Sequence, residues 1–155
     1  MSTSVETEDA GGWFTTGPAE TGTCFGCGPA NEDGLRLRFR ELEDGRTIET
    51  RVQVPAHYAG VAGVLHGGIQ ATVLDEVMGV AASRALPQGP EHVPCVTAEI
   101  SLSYLRPVPM EGHVVARSRV ERIEGRDVYV TGEIVGPDGR ELTTASSRWR
   151  RLRPR

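Results

Sequence analysis

Lysine is missing altogether: all 17 basic residues of this 155-residue chain are arginine. That absence excludes a Schiff-base lysine, a pyridoxal-phosphate anchor and the lysine of a P-loop. Also missing is the uninterrupted apolar run of about 18 residues that a membrane helix needs. The most apolar stretch, residues 60–82, is broken by His66, Gln70, Asp75 and Glu76, so no membrane partner is expected. There is no excess of positive charge either. The net charge of -4 gives no reason to expect a nucleic acid partner. Cysteine is scarce and odd in number, three in all. With an acidic, polar amino-terminal stretch (MSTSVETEDAGG) that does not read as a secretory signal, this predicts a reducing, cytoplasmic setting.

What is present reads as a single domain. Hydrophobic residues at 38% and charged residues at 25% are ordinary globular composition. Residues 1–22 are rich in Ser, Thr, Glu and Gly and are expected to be flexible, with Trp13 and Phe14 packing onto a domain that spans 23–155. Arg148, Arg150, Arg151, Arg153 and Arg155 read as a solvated last strand and tail. Period-two alternation marks strands at Leu35–Phe39, Ile48–Val54, Val96–Tyr104, His113–Ile123, Val128–Val135 and Glu141–Arg150. In the third of these, Val96, Ala98, Ile100, Leu102 and Tyr104 form the apolar side, and Thr97 lies on the polar one. Asp-Gly steps at Asp44-Gly45 and Asp138-Gly139 signal hairpins. From Gly67 to about Leu86 the period changes. Ile69, Val73, Val77 and Val80 share a helical face, Leu74, Met78 and Ala81 lie beside it, and Pro87 ends the run. Two strands, one enclosed helix and four strands predict an α+β fold, an antiparallel sheet of five to six strands wrapped around a central helix.

The chemistry concentrates at the start and middle of that helix. His66-Gly67-Gly68 stands where a loop becomes the helix, whose first amides have no partners within it. Those amides can polarise a carbonyl, as in an oxyanion hole; equally, the glycines can serve a tight turn. Asp75 lies within the apolar stretch with no cation one turn away, which suits a general base. Whether Asp75 or Glu76 faces inward is open. Eight residues separate Gly67 from Asp75, about 12 Å of helix. If both act on one carbonyl, they must come from two copies of the chain.

The stretch HGGIQATVLDEVMG resembles the signature of the PaaI-like hotdog-fold acyl-CoA thioesterases. The segments CFGCGPANEDGLRLRF and VTAEISLSYLRPVPMEG resemble the same family, so the likeness runs from Cys24 to the carboxyl terminus. It implies the hotdog fold and hydrolysis of an acyl-CoA thioester by a homodimer or homotetramer, without metal or other cofactor. The Gly67 amide would polarise the thioester carbonyl, and Asp75 would be general base or nucleophile. Thr97 would orient the water or the carboxylate, His66 would shape the loop, and Gly68 would admit the acyl chain.

Two departures stand out. The Asn or Gln of many relatives, six residues before the histidine, is Gly60 here, with His57 or Gln70 as possible substitutes for that contact. A hydroxyl residue of a related clade, one turn after the carboxylate, is Gly79. Arg106, and after it Arg84, are candidate partners for the phosphates of coenzyme A. Cys24 and Cys27 read as loop packing: glycines and Pro29 crowd the redox reading, and a zinc site lacks a second pair. Two other functions stay open. One is a non-catalytic acyl-CoA-binding module. The other is a hydroxyacyl dehydratase using His57, although its carboxylate would fall near Gly68.

Overall fold

The computed structural model describes residues 8–87 and 93–154; the expected flexible residues 1–7, and Arg155 of the basic end, lie outside them. Six strands form one antiparallel sheet: β1 (Phe39–Glu41), β2 (Thr47–Val52), β3 (Cys95–Tyr104), β4 (Val114–Glu124), β5 (Asp127–Val135) and β6 (Glu141–Arg151). Their spatial order is β1-β2-β4-β5-β6-β3. A single long helix, α1 (Gly67–Ala85), lies against the sheet, as the periodicity and the hotdog resemblance imply. The short 3-10 turn Ala56–Tyr58 precedes it.

The helix forms where the apolar period becomes helical and stops at Leu86, one residue before Pro87, which biases its predecessor to extended backbone. Val73, Leu74, Val77, Met78, Val80, Ala81 and Ala82 are all buried on it. They meet inward-facing side chains of the sheet, including Ile48, Ala116, Val128, Val130 and Ile134. Gly79 permits the closest approach. A Cβ there would sit 2.7 Å from the Trp149 ring of β6, so the missing side chain makes room for the indole. The Trp149 indole N–H donates to the Ser147 hydroxyl at 2.9 Å, which fixes the ring in that position. Among the described residues no helix is long and apolar enough to cross a membrane.

Two strand expectations need correction. Leu35–Phe39 is not a continuous strand, because Arg36 takes a positive φ of 49°. The Leu35 and Leu37 amides instead bond to the Phe25 and Gly26 carbonyls, each at 2.9 Å. Pairing begins only at Phe39, which exchanges backbone hydrogen bonds with Phe14. Phe14 is buried in the core, as its apolar character in a polar segment suggested. The second correction concerns β3. Thr97 pairs with Trp149 and Glu99 with Arg148, so Ala98 is an extra residue in a β-bulge. The bulge switches Thr97 to the side of the sheet shared by Trp149, facing the helix rather than the polar side expected from alternation.

Candidate active site

His66 caps α1 with its side chain: Nδ1 accepts a hydrogen bond from the Gly68 amide at 2.9 Å. The His66 carbonyl accepts from the Ile69 and Gln70 amides. The Gly67 amide has no hydrogen-bond partner among the described residues. It is therefore the donor left over at the positive end of the helix. The position of Gly67 is held from the sheet, since the Tyr104 hydroxyl donates to its carbonyl at 2.9 Å. Tyr104 was legible only as one apolar position of a strand; its contact spans 37 residues and has no local signal.

One strand thus holds both ends of the candidate site. Tyr104 closes β3 at the helix start, and Thr97, near the beginning of β3, donates its hydroxyl to Asp75 Oδ1 at 2.8 Å. Asp75 is half-buried, and among the described residues no cation pairs with it. Burial pushes its carboxyl above the usual aspartate range, with the Thr97 hydrogen bond working in the opposite direction. The open choice between the two adjacent carboxylates resolves into different surroundings. Asp75 meets Thr97, whereas Glu76 meets the Cys24 thiol, which donates to Oε1 at 3.3 Å.

The remaining candidates separate. Gly68 is exposed at the helix start, open to a ligand. Gln70 is not placed for substrate contact: its side chain is buried, donating to the Leu65 carbonyl and accepting from the Thr143 hydroxyl. An amide turned inward and bonded at both ends is a brace between helix and sheet. Arg84 lies near the opposite end of α1 from Gly67, some 17 residues or about 26 Å along it. There it stacks over Phe14 at 4.6 Å and pairs with Glu41, so its guanidinium is engaged away from Gly67 of its own chain. Arg106 follows β3 two residues after Tyr104, exposed, with its guanidinium donating to the Glu141 carbonyl at 2.9 Å. Gly60 packs against His66, where a Cβ would lie 3.3 Å from the His66 Cα. His57 is exposed and edge-on to Tyr58.

An antiparallel sheet around one central helix, with an unsatisfied amide at the helix start and a half-buried carboxylate on it, defines a hotdog-fold protein of the thioesterase kind. The comparisons give the family: the sequence matches the Thioesterase superfamily over residues 62–143, and the chain belongs to that family. It is 33% identical over 119 residues to acyl-coenzyme A thioesterase THEM4 of Mus musculus, which covers 75% of this chain and 48% of that protein. The chain therefore spans about half the length of that curated relative. Among solved structures, a Bacillus halodurans protein crystallised with CoA superposes with a TM-score of 0.68. It is 28% identical, with 78% of this chain and 77% of that one covered. The E. coli PaaI protein of the phenylacetic acid degradation operon, 18% identical, shares the fold with a TM-score of 0.65, over 77% and 81% of the two chains.

Proposed function

We propose that this protein hydrolyses an acyl-CoA thioester to the free acid and coenzyme A, at a site completed by a second copy of the chain. The single observation that carries the reading is Asp75: a half-buried carboxylate without a cation among the described residues, held on one oxygen by Thr97 and leaving the other to accept a proton. Asp75 takes a proton from water as the water oxygen attacks the thioester carbon. The carbonyl oxygen becomes negative and is met by the Gly67 amide of the other copy. The C–S bond then breaks as the carbonyl re-forms, and the departing thiolate takes up the proton that Asp75 had accepted, which restores the carboxylate. Arg106, exposed beyond the end of β3, is the arginine available to a coenzyme A phosphate.

The open edge of β3 supports this arrangement. The strand ends the sheet order, and its outer edge is unpaired along ten residues among those described. A long free edge is a template for pairing, and a two-fold axis there sets two helices antiparallel. The cytoplasm, where coenzyme A esters are made and used, is the setting proposed. Gly60, which offers no polar side chain beside His66, favours the binding-module alternative to this extent: the polar contact that the family resemblance implies there is absent.

The decisive experiment deletes the amide itself. Gly67→Pro removes the N–H at the first helical position, where proline is tolerated, and His66 already has the extended ψ of 134° that a following proline requires. The expected loss in kcat of the free-thiol assay is about 100- to 1000-fold. Mixed dimers of Gly67→Pro with Asp75→Asn then test the shared site. If the site spans two copies, one of the two sites in each mixed dimer is intact and activity returns. If both groups act within one chain, every site stays broken. Stabilisation by acyl-CoA without thiol release from the unmodified protein would identify a binding module instead.

A further inference from the structure

The CFGC segment has no part in that reaction, yet its geometry is unusually constrained. The loop closes on itself through Gly28 N–H to the Cys24 carbonyl at 2.9 Å and Ala30 N–H to the Gly22 carbonyl at 3.0 Å. It is tied to the chain leading into β1 by the Leu35 and Leu37 amides. Two of its glycines are buried with no room to spare. A Cβ at Gly28 would run into the Cys24 backbone, and one at Gly26 into the Glu76 carboxyl. The backbone is thus wrapped directly onto a side chain of α1. As a result Cys24 Sγ, Cys27 Sγ and a Glu76 carboxylate oxygen all lie within 4.8 Å of one another.

Three donor atoms of this kind match a zinc ion. Bonds of about 2.3 Å to sulfur and 2.0–2.2 Å to oxygen set tetrahedral ligand atoms roughly 3.5–3.8 Å apart. The Cys24–Glu76 approach of 3.3 Å is already close to that spacing. Two thiolates with one carboxylate favour a borderline-soft dication over calcium or magnesium, which prefer oxygen. One further observation fits. The Thr16 hydroxyl oxygen is buried beside the Cys27 sulfur, with no other hydrogen-bond partner among the described residues. A thiolate on Cys27 would accept the proton of that hydroxyl.

We propose that Cys24, Cys27 and Glu76 form a zinc site that clamps the amino-terminal loop to the central helix, with water completing the tetrahedron. The missing second cysteine pair is replaced by a carboxylate 49 residues further on, which no spacing rule reveals. Binding replaces the two thiol protons: two S–H bonds break, two S–Zn bonds and one O–Zn bond form, and both protons pass to solvent. The inference does not depend on thioester hydrolysis.

The test uses the full chain, reduced and stripped with chelator, titrated with zinc alone against a chromophoric competitor. Expected are close to one ion bound per chain and about two protons released per ion near neutral pH. Cobalt in place of zinc should give a thiolate charge-transfer band. Glu76→Gln, Cys24→Ser and Cys27→Ser should each weaken binding by at least the roughly 10- to 100-fold that loss of an outer-shell partner costs, while Cys95→Ser binds as the parent does. No charge-transfer band in the reduced parent protein overturns the proposal without recourse to any variant. So does full affinity in a folded Glu76→Gln, or a Cys24–Cys27 disulfide as the only chemistry found.

Discussion

Glu49 and Asp75 are both carboxylates withdrawn from water, the first wholly and the second by half, and their surroundings are opposite. Glu49 on β2 is wholly buried, and Arg40 and Arg117 lie directly across from it on the two neighbouring strands. Arg40 reaches its Oε1 at 2.7 Å, Arg51 the same oxygen at 2.9 Å and Arg117 its Oε2 at 2.8 Å. Burial alone would raise its carboxyl, but the three guanidiniums outweigh it and hold it below the usual glutamate range. Among the described residues Asp75 has one hydroxyl and no cation, so burial prevails and its carboxyl is raised. Three matched charges make a carboxylate inert and structural. A single weak partner leaves it costly to the fold and able to accept a proton.

The comparison breaks most sharply at Asp75. Asp75→Asn should lower thiol release by about 100- to 10,000-fold, while thermal stability stays equal or rises, because a poorly compensated buried charge is removed. A melting temperature that falls along with activity would show that Asp75 is structural.

Glu49→Gln should behave in reverse, keeping kcat and losing about 2–3 kcal/mol in denaturant unfolding. That is less than the 3–5 kcal/mol of a fully buried pair, since the arginines can turn to water. Because the folded carboxyl is depressed, its contribution is fully present above the ordinary glutamate range and is lost as pH falls through the folded value. The gap between parent and Glu49→Gln should therefore narrow on acidification; a gap independent of pH would count against the arginine cluster as its source.

Smaller effects sharpen the local picture. Gly79→Ala gains up to about 1 kcal/mol of helix propensity but pushes a methyl into Trp149, at an overpacking cost of about 1–3 kcal/mol. A net loss of up to about 2 kcal/mol is expected by thermal unfolding. Thr97→Val removes the hydroxyl at nearly constant volume. One hydrogen bond of about 0.5–1.5 kcal/mol corresponds to a fall in kcat of no more than about tenfold, with stability little changed.

Much of the fold was legible because it is local. Apolar spacing and Pro87 bounded α1 to within a residue. Asp44-Gly45 and Asp138-Gly139 marked hairpins whose glycines do take positive φ, 62° and 78°. The site was only half legible. His66, Gly67 and Asp75 sit on one helix at a spacing that sequence preserves. Gln70 belongs to the same run, yet its inward turn depends on Thr143, a residue 73 positions away.

One central helix, the hairpins around it and the distance between an amide and an acid along that helix could all be read from residue order, because each follows from interactions within a few residues. Tertiary structure alone decided which face Thr97 shows, since one extra residue at Ala98 inverts the alternation without leaving a mark in composition. It also decided that Glu49 is neutralised by arginines on two flanking strands and that Glu76 meets Cys24. Those groups are brought together by strand register and loop wrapping, which no local period encodes.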